Sequence, residues 1–294
     1  MLPGANACTK LRRMQIARTL PALNEACAAL RRTHASLGLV PTMGALHDGH
    51  RALVRASVAS GAATVASIFV NPLQFAPTED LSRYPRDEAG DLAGLEAAGC
   101  ALAWLPMVET MYPPGAATTI SLTGPAERWE GDARPGHFRG VATVCAKLFG
   151  QVRADRAYFG EKDWQQLQVI RRMVADLHLP LEIVGIPTVR EADGLAMSSR
   201  NRFLTPKDRA TAPLLHRTLQ QTAATLVTGS SPELALQEAR ESLTNAGFTV
   251  DYYALVDGPT LAPIAAVTPG ARLITTARLG TVRLLDNIGL PEPR

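Results

Sequence analysis

Residues Leu39–Arg55 read LVPTMGALHDGHRALVR. A short apolar run from Leu37 to Val40 breaks at Pro41 and passes Thr42-Met43-Gly44-Ala45 to reach His47-Asp48-Gly49-His50. After that Leu53, Val54 and Val58 fall at helical spacing. The stretch therefore predicts a strand, a glycine-containing loop and a helix start carrying two imidazoles. Such a junction suits a polyphosphate, because the first helical N–H groups are unpaired and the helix dipole favours negative charge there. Histidines three apart can face one bound group. Taken alone, the pair reads equally as surface histidines or as half of a metal site, and nothing nearby completes a ligand set.

Working outward, apolar stretches alternate between strand-like and helical patterns. Leu20–Arg32 predicts a helix before the first strand, and Thr64–Asn71 a strand buried on both faces. Asp87–Ala98 reads as a helix and Ala101–Leu105 as a strand, while Thr118–Leu122 is a further expected strand in a Pro- and Gly-rich region. Val141, Val144, Cys145, Leu148, Phe149 and Val152 form the core stripe of an amphipathic helix. Arg156–Phe159 is a strand, a helix runs from Asp163 through Leu177, and Leu181–Val189 is one more strand. This alternation predicts an α/β fold with a Rossmann-like parallel sheet covered by helices on both faces.

Beyond Val189 the pattern changes. A polar loop, Arg190–Arg202, leads to Thr205-Pro206, an N-cap followed by proline at the first helical position. Helices over Lys207–Thr228 and Pro232–Ala246 precede strands at Val250–Val256, Arg272–Ala277 and Thr281–Leu285. The expected organisation is a poorly ordered extension at 1–13, a Rossmann-like domain at 14–188 and a smaller α+β lid domain at 189–294. A chain of 294 residues accommodates one large core and one small one.

Composition excludes several classes. Hydrophobic residues make up 46% and charged residues 19%, as in an ordinary globular protein. A net charge of +3 with no basic, aromatic-rich module argues against nucleic acid as a partner. Cys8, Cys27, Cys100 and Cys145 form no CxxC pair, and no apolar run approaches membrane-spanning length, so the expectation is a cytoplasmic protein with reduced thiols.

Candidate chemical groups recur just after the strands. His47 and His50 follow the first of these, Asn71 and Gln74 the next, and Lys162, Asp163 and Gln166 a later one. Met197-Ser198-Ser199-Arg200 follow the last strand of the larger domain. In an open parallel sheet, ligands bind outside the carboxyl ends of the strands. Neither GxxxxGK[ST] nor GxGxxG occurs, so phosphate handling falls to His47, His50, Lys162, Arg200 and backbone N–H groups. Singly, Lys162 and Arg200 are more often solvated charges, Gln74 and Gln166 surface amides, and Asn71 a strand-end cap; their shared edge favours the functional reading.

The segments PTMGALHDGH, SIFVNPLQF, RPGHFRGV, FGEKDWQQL and DGLAMSSRN, in this order, resemble the pantoate–β-alanine ligase family of the HIGH-motif nucleotidyltransferases. The resemblance runs from about Met14 to Ile288. It implies a homodimer using ATP and Mg²⁺, in which pantoate attacks the α-phosphate of ATP to give pantoyl adenylate and pyrophosphate. The amine of β-alanine then displaces AMP. By matching positions, Met43, Gly44, Ala45, Leu46, His47, Asp48, Gly49 and His50 line the ATP site, with His50 at the place of the family's proton donor. Gly160, Glu161, Lys162, Asp163, Val189, Met197, Ser198, Ser199 and Arg200 match further ATP contacts. Gln74 and Gln166 match the pantoate-binding glutamines, Gln74 also the β-alanine contact, and Asn71 is placed with them.

The resemblance assigns catalysis to His50, His47, Lys162 and Arg200, and no protein metal ligand is expected. Asp48 stands where the family commonly has Glu, which preserves the charge. Asp91, on the helix after Tyr84-Pro85-Arg86, reads as a solvated carboxylate outside the site. The alternative is another adenylyltransferase of the same superfamily, acting on a different small acid or a phosphate acceptor. A phosphate acceptor would call for more cationic groups than a site with two glutamines supplies. A nucleotide-binding regulator without chemistry would have lost His50, Lys162 or Arg200, and all three are present.

Overall fold

The computed structural model describes residues 13–75, 81 and 84–291. The extension read at 1–13 lies outside them except for Arg13, as do Asp80 and Arg83 of the polar loop. The strands are β1 (Gln15–Ala17), β2 (Leu37–Thr42), β3 (Ala63–Ile68), β4 (Leu102–Trp104), β5 (Arg156–Gly160) and β6 (Glu182–Ile186). All pair in parallel, in the order β1-β4-β3-β2-β5-β6.

Alternate residues of each strand feed opposite faces of this sheet. Leu37, Leu39, Val65, Leu102 and Trp104 pack with α1 (Leu20–Arg31), α6 (His137–Val152) and α7 (Trp164–Asp176) through Leu23, Leu30, Val141, Leu148, Leu167 and Ile170. Val40, Ala66, Ala103 and Tyr158 face the other way, toward Leu53 and Val54 of α2 (Asp48–Ala59) and Leu95 of α3 (Glu88–Ala97). Both faces are thus covered, as continuous apolar strands require.

Strand β2 runs through Pro41 instead of ending there. β5 registers with β2 only at Gly38 and Leu39, so the two strands part before Pro41 and its missing N–H costs no ladder bond on that side. The expected strand at Thr118–Leu122 does not form. Its β-branched residues meet no free sheet edge; instead the Ile120 N–H donates to Thr143 Oγ1 of α6 at 2.9 Å, while Ile120 and Leu122 pack on the core. Strand β1 has only three residues and went unread for that reason.

The C-terminal part begins with α8 (Pro206–Thr211), capped as read by Thr205, whose Oγ1 accepts the Asp208 N–H at 3.1 Å. The single helix expected over 207–228 divides at Pro213, and α9 (Leu214–Val227) starts after it. Helix α10 (Pro232–Asn245) precedes an antiparallel sheet of β7 (Phe248–Asp257), β8 (Ala271–Leu279) and β9 (Val282–Gly289). One face of this sheet buries Phe248, Tyr253, Leu273 and Leu284 against Leu215, Leu219 and Leu243. The opposite face carries Ala254, Val256 and Ile274 onto Trp129 and Trp164, which precede it in the part of the chain built on the parallel sheet.

That junction is also tied by a buried ion pair. Glu130, 8% exposed at its side chain, takes two 2.6 Å hydrogen bonds from Arg283 and one each from Tyr252 and Thr276. Burial raises the Glu130 carboxyl, but the Arg283 guanidinium outweighs it and holds the acid below its usual range. No helix among the described residues is long and apolar enough to cross a membrane.

Candidate active site

In the sheet order, the chain leaves β2 toward β3 on one side, while β5 lies on the other. This is the topological switch point, where a crevice opens at the carboxyl ends of the strands. The segments after β2, β3, β5 and β6 all border one cleft of about 1380 Å³, part of it open to solvent. Its walls bring together Met43, His47, His50, Gln74, Lys162, Gln166 and Arg200, which are spread over nearly 160 residues of sequence (roughly one domain's length).

The two histidines cap their own helix. His47 is the N-cap residue, and its Nδ1 accepts the Gly49 N–H at 3.1 Å, while the His47 N–H donates to His50 Nδ1 at 3.3 Å. The rings lie 4.1 Å apart. This is a capping box built from imidazoles in place of Ser and Glu. Because both Nδ1 atoms accept, the ring proton of each histidine resides on Nε2. Burial, then the positive charge of Lys162, lower the His47 imidazolium to about 4, and burial with His47 lowers His50 to about 3. Both are neutral N–H donors at physiological pH. Gly49 is dictated by this cap, since a Cβ there would lie 2.8 Å from the His47 ring.

The loop before the helix is held from a distance. Gly44 and Ala45 have φ of 83° and 52°, left-handed values that are costly for alanine. The Ala45 and Leu46 N–H groups donate to the two oxygens of Asp91 at 2.8 and 2.7 Å. Asp91 is 4% exposed, so the reading of a solvated helix carboxylate is corrected. It is buried because those two N–H groups have no other partner of comparable charge at the turn. Asp48 points the other way, to Arg51 at 2.8 Å on the exposed face of α2, leaving its backbone as the part that faces the loop.

After β3, Asn71 and Gln74 sit at two depths. Asn71 is fully buried: its Nδ2 donates to Gln74 Oε1 and to the Gly140 carbonyl, each at 3.1 Å. Its Oδ1 accepts from Leu73 N–H and from Tyr112 OH at 2.8 Å. With both ends engaged, Asn71 stands behind Gln74 and orients it. Among the described residues, the Gln74 amide nitrogen meets the Met43 sulfur, a weak acceptor, at 2.9 Å. His137 Nδ1 donates to the Gln74 carbonyl at 2.9 Å while its Nε2 accepts from Arg134 at 3.1 Å. Both residues line the cleft, and both belong to the RPGHFRGV segment, where no role was read for them.

After β5, Lys162 is 19% exposed and lies 3.4 Å from Asp163, whose carboxylate stays half open to the cleft. Crowding by protein raises the Asp163 carboxyl, but Lys162 and Arg200 outweigh that and hold it below its usual value. The Glu161 side chain turns toward Arg272 at 4.0 Å, away from the other candidate residues. Gln165 and Gln166 are neighbours with different tasks. Gln165 is buried and ties the carbonyls of Pro125, Glu127 and Arg128, while Gln166 lines the cleft.

After β6, the Val189 carbonyl accepts the Met197 N–H at 3.0 Å, closing a hairpin that delivers Ser198, Ser199 and Arg200 to the wall opposite His50. Among the described residues, no group of three or more His, Cys, Asp or Glu side chains could hold a metal ion. Cys145 lines the cleft, and burial pushes its thiol up to about 12, which leaves it inert.

The sequence model of the family described as Pantoate-beta-alanine ligase matches residues 15–289. The chain belongs to the pantoate–β-alanine ligase family. It is 60% identical over 281 residues to pantothenate synthetase of Granulibacter bethesdensis, covering 95% of this chain and 98% of the relative. The Acidiphilium cryptum enzyme of the same name is 60% identical over 278 residues, covering 94% and 100%. Among solved structures, pantothenate synthetase from Thermus thermophilus superposes with a TM-score of 0.89 at 49% identity, covering 95% and 100%. The Francisella tularensis ligase, solved with Beta-gamma ATP and beta-alanine, gives 0.80 at 30% identity, covering 94% and 97%. The activity of this ligase family, joining pantoate to β-alanine, is the activity of this chain. The reading of a different acid or phosphate acceptor falls with that assignment.

Proposed function

We propose that the cleft carries out the reaction in two steps on one wall-to-wall site: adenylation of (R)-pantoate by ATP, then capture of the pantoyl adenylate by β-alanine. The observation that carries this reading is the convergence of two neutral imidazole N–H donors, two cations and two amide side chains, with no protein nucleophile required. In the first step a pantoate carboxylate oxygen forms a bond to the α-phosphorus as the bond to the β-phosphate oxygen breaks. Charge grows on the phosphoryl oxygens and on the departing pyrophosphate. His50 and His47 donate their Nε2–H to that charge, and Lys162 and Arg200 supply fixed positive charge. Gln74 and Gln166 hold the hydroxyls and carboxylate of the acid without competing as nucleophiles. In the second step the β-alanine amine attacks the acyl carbon, AMP leaves with the bonding pair, and the amine gives up a proton.

The turn at 43–46, its Ala45 and Leu46 N–H groups taken by Asp91, presents Met43 to the nucleotide, and Gly160–Asp163, Val189 and Met197–Arg200 frame it from the other strands. When bound, Mg²⁺ would neutralise charge on the ATP phosphates, and among the described residues lining the cleft the half-exposed Asp163 carboxylate is the acid that would hold it. We take 14–188 as the nucleotide- and pantoate-binding domain and 189–294 as the smaller lid domain. The family resemblance further supports a cytoplasmic homodimer, for which light scattering is the direct check.

The decisive experiment is isotope exchange between pyrophosphate and ATP. Exchange that depends on pantoate and proceeds without β-alanine is the expected result. Exchange without pantoate, or none with it, would overturn the adenylate route.

A further inference from the structure

Strand β9 places two polar residues, Asp286 and Asn287, side by side at 2% and 4% exposure. Asp286 receives two hydrogen bonds from Arg190, at 2.6 and 2.9 Å. The same guanidinium donates to the Gly194 carbonyl at 3.1 Å, and Arg190 bridges Ala196 across the hairpin. The far limb of that hairpin runs directly into Met197–Arg200. Asp286 therefore fastens the segment that carries Arg200.

Asn287 fastens the other cation. Its Nδ2 donates to the carbonyls of Glu161 and Lys162, at 3.0 and 2.8 Å, and its Oδ1 accepts from Arg272. Arg272 is itself fixed, with its guanidinium 3.4 Å over the Trp164 ring, whose Nε1–H donates to the Gly258 carbonyl at 2.7 Å. All hydrogen-bonding capacity of the Asn287 amide nitrogen is spent on the backbone beneath Lys162.

Lys162 and Arg200 follow neighbouring strands of the large sheet, β5 and β6, whose register ends at Gly160 and Ile186, and Arg200 lies 14 residues beyond the last paired residue of its strand. Both loops are pinned to adjacent residues of one strand in the small domain, whose Cα atoms are a fixed ~3.8 Å apart. We propose that Asp286 and Asn287 are positioning residues that set Lys162 and Arg200 at their working separation across the ATP phosphates. The inference rests on the reading that these two cations act there. It makes the small domain a brace for the reacting groups as well as a cover.

The test is a double-mutant cycle read by pantoate-dependent pyrophosphate exchange. Asn287→Ala is expected to lower turnover roughly 10- to 100-fold, the scale of a misplacement outside the reacting groups. The KM for pantoate should stay unchanged, because Gln74 and Gln166 are not held by β9. In a Lys162→Ala background the same substitution should cost less than about twofold, since its target is gone. Asn287→Asp keeps the size of the side chain and its acceptor for Arg272 but turns a carboxylate oxygen toward the two carbonyls, and a thermal midpoint measured beside turnover separates loss of the donors from misfolding. Asn287→Asp should lose at least as much turnover as Asn287→Ala. Full turnover in Asn287→Asp, a pantoate KM that rises in step, or losses that multiply in the double variant would each overturn the proposal. Unchanged exchange in Lys162→Ala alone would sink the reading of Lys162 itself, and this inference with it. Asp286→Asn with Arg200→Ala repeats the cycle for the other arm, with the same two outcomes.

Discussion

The start of α2 and the end of β9 both fix groups proposed to act in the reaction, over very different distances along the chain. At α2 the His47 and His50 rings are oriented by backbone N–H groups two and three residues away. At β9, Asp286 reaches a partner 96 residues off, and Asn287 reaches carbonyls 125 and 126 residues off. The local device is complete in one turn of helix and needs no contact between the two sheets. The distant device exists only once both sheets have formed and docked. A substitution in the first should therefore change chemistry with little change in architecture, whereas one in the second should act through geometry.

The sharpest way to test that contrast is His50→Ala. It removes one Nε2–H donor and the acceptor for the His47 N–H, and leaves the helix its other cap bond from His47 Nδ1. The expected loss in pantoate-dependent exchange is on the order of 10²–10³-fold, the usual cost of one transition-state donor. A thermal midpoint close to that of the parent protein should accompany it. Unchanged adenylate formation would remove His50 from the mechanism, and a collapsed midpoint would show the pair to be mainly structural.

This contrast also explains what could be read before the fold was known. The four strand-end clusters were legible because each sits a few residues beyond an apolar run, and a parallel sheet aligns such ends by construction. Asp91 was not, because its partners are the N–H groups of Ala45 and Leu46, and a backbone group has no letter in a sequence. The same holds for His137, which donates to the Gln74 carbonyl, and for Asn287. Thr118–Leu122 failed in the opposite direction: its composition is that of a strand, but it pairs with neither sheet, and the Ile120 N–H goes to Thr143 of α6 instead. Asn71 and Gln74 stand three residues apart after one strand, and it is the hydrogen bonds that separate the amide behind from the amide in front.

Asp91→Asn probes a distant anchor of intermediate strength. The asparagine keeps one oxygen for one of the two N–H groups and turns an NH₂ toward the other. Losing one charge-assisted bond at a turn that contains a left-handed alanine should lower kcat/KM for ATP about tenfold. A parental kcat/KM in this variant would mean that the loop at 43–46 keeps its shape without Asp91. The distant anchors would then matter less than the local cap.

The smallest expected effect is the absence of one. Free histidines titrate near 6.5, but burial and the neighbouring cation bring His47 to about 4, and burial with its partner brings His50 to about 3. Between those values and 6.5 the unfolded chain binds protons that the folded chain refuses. The stability contributed by the pair is thus intact above about pH 6.5, declines as pH falls, and is wholly lost only below about 3. For activity, kcat/KM reports the ionisation of the free enzyme. With both substrates held well below saturation at fixed Mg²⁺, so that the rate reports the free enzyme, the exchange reaction should show no limb near pH 6.5 that belongs to this pair. The profile should stay flat down to roughly pH 5.5, well above both depressed values. An alkaline limb, with activity falling as pH rises through about 6.5, that vanishes in His50→Gln would mean that an imidazolium, not a neutral N–H, meets the phosphate. That result would also break the capping box, because a protonated Nδ1 can no longer accept the backbone N–H that now orients it.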